Sequence, residues 1–213
     1  MNIIWLGHGS FRIEIGDQVL LVDPWLNGNP MMEGQDKDAA IAGATHILVT
    51  HGHGDHTADV VEISGKTGAP VSGMVELAKH LHGLGAKEGH AFNKGGTITL
   101  GNVAVTLVPA SHSSTMQVGD TPRYMGMETG FILRGDGKTL YFLGGYVDHG
   151  RHGLDRGLLQ SRHRHPVGGR LLHDGHVGRG PCRETIFRLQ SSDHVPLPHL
   201  PGRGAFGRRK SVE

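Results

Sequence analysis

Four residues that could bind a metal lie close together in the sequence, directly after a short apolar run. They are His51, His53, Asp55 and His56. The apolar run, Ile47-Leu48-Val49, stands beside glycine-rich sequence and predicts a buried strand that ends in a loop. Neutral imidazole and carboxylate together suit zinc, manganese or iron. The spacing therefore predicts a metal site at a strand end, with a solvated histidine-rich loop as the alternative.

A different strand end brings another imidazole. His112 follows the predicted strand 103–108 through Pro109-Ala110-Ser111, which repeats the order of strand and then ligand seen at His51. An imidazole that arrives from a different strand end is what would complete a metal site with three histidines. We therefore predict that His112 joins the ligands of the first loop.

Two further candidates lie near the start of the chain. The segment 11–15 alternates in polarity and is joined to 18–22 by a Gly-Asp pair, which predicts a β-hairpin. His8 occupies the glycine-rich turn before this hairpin and is a candidate for substrate contact; a structural or solvated histidine is the alternative. Asp23 ends the hairpin ahead of Pro24, which has no N–H to donate.

The remaining elements follow from periodicity and from glycine and proline positions. Helices are predicted at Thr57–Lys66 and Val75–Leu84, and the second of these has apolar residues at helical spacing, namely Val75, Ala78, Leu81 and Leu84. Strands are predicted at 70–72, 97–100, 103–108, 129–133 and 139–143. The segments 27–44 and 113–128 are predicted to be loops.

The motif and its flanks resemble a known family. His51-x-His53-x-Asp55-His56 resembles the signature of the metallo-β-lactamase superfamily of metal-dependent hydrolases. The segments 5–11, 21–25 and 110–113 resemble uncharacterised bacterial hydrolases related to ascorbate-6-phosphate lactonase. The resemblance is collinear from Met1 to about Gly144, and it implies an α/β fold of the αββα sandwich type.

The resemblance also implies roles for the candidate residues. One metal would be held by His51, His53 and His112. Asp55 and His56 would begin the site of a second metal, Asp55 would also orient or deprotonate the nucleophile, and Asp23 would accept a hydrogen bond from a ligand histidine. The implied cofactor is one or two zinc ions, with manganese or iron as alternatives. The implied reaction is hydrolysis of a small lactone, ester or phosphoester-like substrate by a metal-bound hydroxide.

Charge and composition divide the chain in two. Residues 1–148 carry 15 acidic and 9 basic side chains, whereas residues 149–213 carry 5 acidic and 12 basic ones. The single cysteine, Cys182, fits a reducing compartment. The sequence contains no apolar run long enough for a transmembrane helix and no recognisable signal peptide. We therefore expect a cytoplasmic protein without a membrane partner.

The family pattern breaks at Gly145, where the resemblance calls for an Asp that bridges two metals. We therefore divide the chain into a metallo-β-lactamase-like portion, 1–144, and a basic Gly/Arg/His-rich tail, 145–213, which is expected to be irregular and poorly ordered. Permitted codons for 145–155, shifted by one base, encode an Asp-Thr pair at the missing position. Our hypothesis is that the tail is translated out of frame, which would leave the sandwich complete only in its N-terminal part. A genuine basic tail is the alternative.

Three functions remain open on the sequence alone. The first is a metal-dependent hydrolase acting on a small molecule, with activity impaired if the tail lacks ligands. The second is a metal-binding remnant without catalysis. The third, nucleic-acid processing, is disfavoured because residues 1–148 are acidic and the basic tail has few aromatic residues for stacking on bases. Apolar sheet surface left uncovered by a truncated sandwich would favour a homo-oligomer.

Overall fold

The computed structural model describes residues 1–144, together with the backbone of two strands at 171–172 and 187–191. The first sheet has six strands that neighbour one another in chain order. They are β1 (Asn2–Trp5), β2 (Phe11–Ile15), β3 (Gln18–Val22), β4 (His46–Val49), β5 (Val71–Met74) and β6 (Glu88–Phe92). The first three strands pair antiparallel, and β3 to β6 pair parallel. Parallel pairing needs long crossovers, and these supply the helices.

Four helices accompany the first sheet. They are α1 (Lys37–Ile41), α2 (Gly54–Thr57), α3 (Val60–Thr67) and α4 (Val75–Gly83), with a 3-10 turn at Pro30–Met32. Apolar residues of α3 and α4 pack with residues of β4 and β5 into one buried cluster, which contains Val60, Ile63, Leu77, Leu81 and Ile47 among others. Gly68 ends α3 with a left-handed backbone at φ 72°, as helix C-termini commonly require.

The second sheet is antiparallel throughout. Its members are β7 (Thr97–Leu100), β8 (Val103–Pro109), β11 (Thr129–Gly135), β12 (Lys138–Phe142), β13 (Leu171–Leu172) and β14 (Phe187–Ser191), in the spatial order β13-β14-β12-β11-β8-β7. Between β8 and β11 the chain forms a separate hairpin of β9 (Thr115–Val118) and β10 (Thr121–Tyr124). The strands β13 and β14 lie in the segment that we expected to be irregular. The other expectations for that segment lie outside the described residues.

The two sheets pack face to face. The alternation in β2 buries Phe11, Ile13 and Ile15, and the inward residues of the second sheet, such as Phe131 and Phe142, meet them in one cluster. The rings of Phe11 and Phe142 meet edge to face with their centroids 5.5 Å apart. The described layers are therefore helices, first sheet and second sheet, which is the N-terminal part of the αββα sandwich that we expected. No helix in the described part is long and apolar enough to cross a membrane.

Two of the predicted loops contain regular structure. The segment 27–44 contains the 3-10 turn and α1, and α1 is preceded by its N-cap residue Asp36, whose carboxylate accepts a hydrogen bond from the N–H of Ala39. The segment 113–128 contains β9 and β10. Met116 and Val118 of β9 pack against the first buried cluster, but an alternation of four residues is a weak signal for a strand, and β10 is exposed along its whole length.

The predicted helices also differ in their limits. The helix predicted at Thr57–Lys66 is divided into α2 and α3 near Asp59, whose side chain bonds to the loop after β3. The second helix ends at Gly83, and Leu84 lies beyond it with 56% of its surface exposed. The predicted helix was therefore one residue too long, because the helical spacing was extended to Leu84.

The sheets are also tied at one end by polar contacts. Asp136, in the turn between β11 and β12, accepts a hydrogen bond from the N–H of Gly16 at 2.8 Å. The amino group of Met1 lies 3.4 Å from the same carboxylate. Gly16 belongs to the turn between β2 and β3, at the opposite end of β3 from Asp23. We call these contacts, between Met1, Gly16 and Asp136, the distal tie.

Candidate metal centre

Three histidines from two sheets meet at one point. His51 and His53 lie in the loop between β4 and α2, and His112 follows β8. Nδ1 of His53 lies 3.1 Å from Nε2 of His51 and 3.1 Å from Nε2 of His112. The structure therefore brings together the three residues that the sequence predicted for the first metal. We call His51, His53 and His112 the three-histidine group.

A buried carboxylate sets the orientation of His51 through a threonine. The hydroxyl of Thr50 donates to Oδ2 of Asp23 and lies 2.8 Å from Nδ1 of His51. Because the single hydroxyl proton goes to Asp23, Thr50 accepts from Nδ1–H of His51. This tautomer leaves a lone pair on Nε2 of His51, the atom that faces His53. Neighbours that fix the ring and its tautomer in this way are typical of metal-binding histidines.

The same carboxylate orients His56. Nδ1 of His56 lies 3.0 Å from Oδ2 of Asp23, and both side chains are buried. Since the ionised carboxylate only accepts, Nδ1 of His56 carries the proton and Nε2 keeps its lone pair. The sequence analysis anticipated a hydrogen bond from a histidine to Asp23, and the structure contains it. Asp23 itself adopts a left-handed backbone at φ 46°, a conformation that non-glycine residues seldom take outside functional sites.

The electrostatic environment favours neutral imidazoles. Burial, followed by the neighbouring histidines, lowers the pKa of His51 far below its ordinary value of 6.5. Burial likewise lowers the pKa of His53 and of His112. Metal ions bind the neutral form of imidazole, so these side chains are held in the form that a metal requires.

Asp55 and His8 form a second pair beside the three-histidine group. Nε2 of His8 lies 2.9 Å from Oδ2 of Asp55, and this hydrogen bond is the main cause that lowers the pKa of Asp55 well below 3.8. Asp55 is therefore a carboxylate at neutral pH. His8 also meets the ring of Trp25 edge to face at 5.2 Å. The structure thus places His8 against Asp55, at the site where substrate contact was predicted for it.

The donor atoms of the centre fit divalent cations. In the three-histidine group the nitrogens lie within 4.8 Å of one another, and the same holds for the donor atoms of His8, Asp55 and His56. Lone pairs on neighbouring imidazoles repel one another unless a proton or a cation lies between them. Three neutral imidazoles are also a known zinc ligand set. The residues present therefore fit the metal that the motif implies.

Neighbouring residues that the sequence analysis did not identify support this arrangement. Ser113 Oγ lies 3.1 Å from Nε2 of His53, and Ser114 Oγ accepts from the N–H of Gly52 at 3.1 Å. Gly9 has no room for a side chain, because a Cβ there would lie 2.6 Å from the ring of His56. The two serines adjoin the predicted ligand His112, and that adjacency was the only signal in the sequence.

A family model confirms the superfamily. The model described as a beta-lactamase superfamily domain matches residues 18–166, more than half of the chain. This chain belongs to the metallo-β-lactamase superfamily. The match extends past Gly144, where the sequence analysis placed the end of the resemblance. The division of the chain at Gly144 and the out-of-frame hypothesis stay predictions.

Relatives of this superfamily member are named metal-dependent hydrolases. A UPF0173 metal-dependent hydrolase of Dinoroseobacter shibae is 55% identical over 144 residues, which are 68% of this chain and 63% of the relative. One from Cereibacter sphaeroides is 48% identical over 168 residues, which are 79% of this chain and 71% of that relative. The chain thus spans less than two thirds of the first relative's length.

The comparison with solved structures also finds a metallo hydrolase. The solved structure of Igni18, a metallo hydrolase from the archaeon Ignicoccus hospitalis, is 28% identical in sequence and has a TM-score of 0.52. The similarity covers 65% of this chain and 58% of that one. The metallo-β-lactamase fold predicted from the motif is therefore confirmed. The roles of the individual site residues stay predictions.

Proposed function

We propose that the three-histidine group binds a zinc ion and that the loaded site hydrolyses a small lactone, ester or phosphoester-like molecule in the cytoplasm. The convergence of three neutral imidazoles on one point supports this proposal most directly. Zinc is preferred because it commonly takes histidine ligands in tetrahedral sites, with manganese or iron as alternatives. When bound, the ion would lower the pKa of a water molecule and polarise the oxygen under attack.

The protein's own residues would prepare this chemistry. Asp23 and Thr50 hold the ring of His51 in the tautomer whose Nε2 lone pair faces the group. Asp55, kept ionised by His8, is half-exposed beside the group and can accept a hydrogen bond or a proton from the attacking water. Because Asp55 is a carboxylate at neutral pH, it would accept a hydrogen bond from the attacking water and so orient it.

The first test is the metal content of the full chain, purified without an affinity tag. Zinc per chain is measured by elemental analysis for the wild type, for His51→Ala and for the matched control His90→Gln, which removes an exposed histidine outside the site. We expect His51→Ala to lose one zinc ion relative to the wild type, and His90→Gln to lose none. The comparison between variants cancels any loose binding by the histidines after residue 148.

Hydrolysis is tested on the same preparations with a panel of lactones, carboxylic esters and phosphodiesters. We expect turnover of at least one class by the zinc-loaded wild type and its loss in His51→Ala. Equal zinc content in the wild type and His51→Ala would contradict the metal assignment. Zinc binding without hydrolysis of any class would instead favour the metal-binding remnant.

A further inference from the structure

We propose that His8 is a metal ligand, which completes with Asp55 and His56 the second cation site that the resemblance implies beside the three-histidine group. The sequence analysis assigned only Asp55 and His56 to a second metal and gave His8 to the substrate. The inference rests on the proposed function only in that both sites belong to one metal centre. The contacts and the backbone conformation of His8 support it.

Three donor atoms are grouped closely enough to converge on one ion, and one pair has the spacing of neighbouring ligands. They all lie within 4.8 Å of one another. The separation of 2.9 Å between Nε2 of His8 and Oδ2 of Asp55 is close to the ~3.0 Å expected between neighbouring ligands at right angles around an ion with bonds of ~2.1 Å. His56 contributes Nε2, because its Nδ1 is bonded to Asp23. Two imidazoles and one carboxylate form a set that suits iron(II) and zinc.

His8 is held in place before any ion arrives. Its backbone is left-handed at φ 50°, and its carbonyl accepts a hydrogen bond from Nε1 of Trp5 at 2.8 Å. The ring rests against the edge of Trp25, and its centroid lies 5.2 Å from that of His56. A strained backbone held by several contacts is typical of functional positions. The side chains of His8 and Asp55 are 20% and 42% exposed, so an ion can reach both.

Two substitutions separate a ligand from a residue that only positions Asp55. The amide of His8→Gln reaches the position of Nε2 and can still donate a hydrogen bond to Asp55, but it is a poor ligand for zinc or cobalt. His8→Glu supplies a carboxylate ligand at the same reach but loses the donor. Gln and Glu, like the histidine they replace, take the left-handed backbone at position 8 only at a cost, so the folding of both variants is checked directly.

The experiment is a titration of the metal-free full chain with cobalt(II), followed by its visible absorption bands and by calorimetry. We expect two specific equivalents in the wild type. In His8→Gln the second equivalent should weaken by more than ~100-fold, beyond the loss typical of removing an outer partner, while the first is unchanged. His8→Glu should keep the second equivalent, and His51→Ala should lose the first. Circular dichroism and Tm of the metal-free proteins check folding.

The outcomes are distinguishable. One equivalent in the wild type that His51→Ala removes and His8→Gln leaves unchanged would overturn this inference while sustaining the proposed function. Two equivalents with the second retained in His8→Gln and weakened in His8→Glu would make His8 a positioning residue and would also overturn it. Absence of any equivalent sensitive to His51→Ala or His8→Gln would overturn both proposals.

Discussion

The two sheets of the sandwich differ in what they contribute. The first sheet supplies Asp23 at the end of β3, His51 to His56 after β4, and His8 in the turn before β2. Among the described residues, the second sheet supplies one of the grouped ligands, His112, and it buries Phe131 and Phe142 completely. The first sheet carries most of the candidate chemistry, and the second carries much of the apolar contact between the sheets.

The difference follows from strand direction. In the first sheet, neighbouring parallel strands end at the same edge, so the residues after β3 and β4 come together there. In the antiparallel second sheet, tight turns join β7 to β8 and β11 to β12, whereas the longer connection that follows β8 carries His112. Sequence changes in the two sheets should therefore separate stability from metal binding.

The largest effect on stability is expected from the second sheet. Phe131→Ala removes a fully buried ring from the layer between the sheets and should lower the free energy of unfolding by about 3–5 kcal/mol. Denaturant unfolding measures this loss, with Phe131→Leu as a milder control. The metal affinity of the folded fraction should not change. A parallel fall in affinity would mean that the second sheet also shapes the site.

A smaller effect, on metal affinity, is expected from a substitution in the first sheet. Asp23→Asn removes the charge that orients the rings of His51 and His56, and should weaken metal binding by about 10–100-fold. Competition with a fluorescent chelator measures the affinity.

The matched control for that change is Asp59→Asn. Asp59 is also buried, but its carboxylate accepts from the backbone of Leu26 and Asn27 and from the amide of Asn27. We expect this control to cost about 1–3 kcal/mol of stability and to leave metal affinity unchanged. If both variants lost affinity equally, the special role of Asp23 would be refuted.

The smallest effect, on thermal stability, is expected from a substitution in the distal tie, and it depends on pH. The hydrogen bond from Gly16 lowers the pKa of Asp136 below 3.8. A carboxyl group with a lowered pKa stabilises the fold above its unfolded pKa, and this contribution is lost as the pH falls through the folded value. Asp136→Asn should therefore lower Tm at pH 7 by roughly a degree or two, and the difference should shrink below about pH 4. A constant difference from pH 7 to pH 3 would exclude the charge as its cause.

Local patterns predicted most of the fold and the ligand loop. The alternation in β2 and the apolar run of β4 are properties of short segments, and His112 follows its strand as His51 follows β4. The hairpin of β9 and β10 escaped prediction because the alternation of β9 spans only four residues and β10 is exposed throughout. The helix α1 escaped because it is five residues long and depends on the side chain of Asp36 for its start.

The contacts around the centre could not be predicted in the same way. Thr50 acquires its role from Asp23, which lies 27 residues earlier, and His8 meets Asp55 across 47 residues of sequence. No periodicity relates such partners, because the pairing of strands brings them together. Sequence therefore indicated which residues could bind a metal but not how their rings are oriented.

The arrival of His112 from the second sheet has a mechanical consequence. An ion held by His51, His53 and His112 would join the two sheets at the end opposite to the distal tie. Removing the ion with a chelator would break this link and leave the distal tie intact at the opposite end. Amide hydrogen exchange at the end of β8 should then become faster. Metal binding would therefore hold the two sheets together as well as enable hydrolysis.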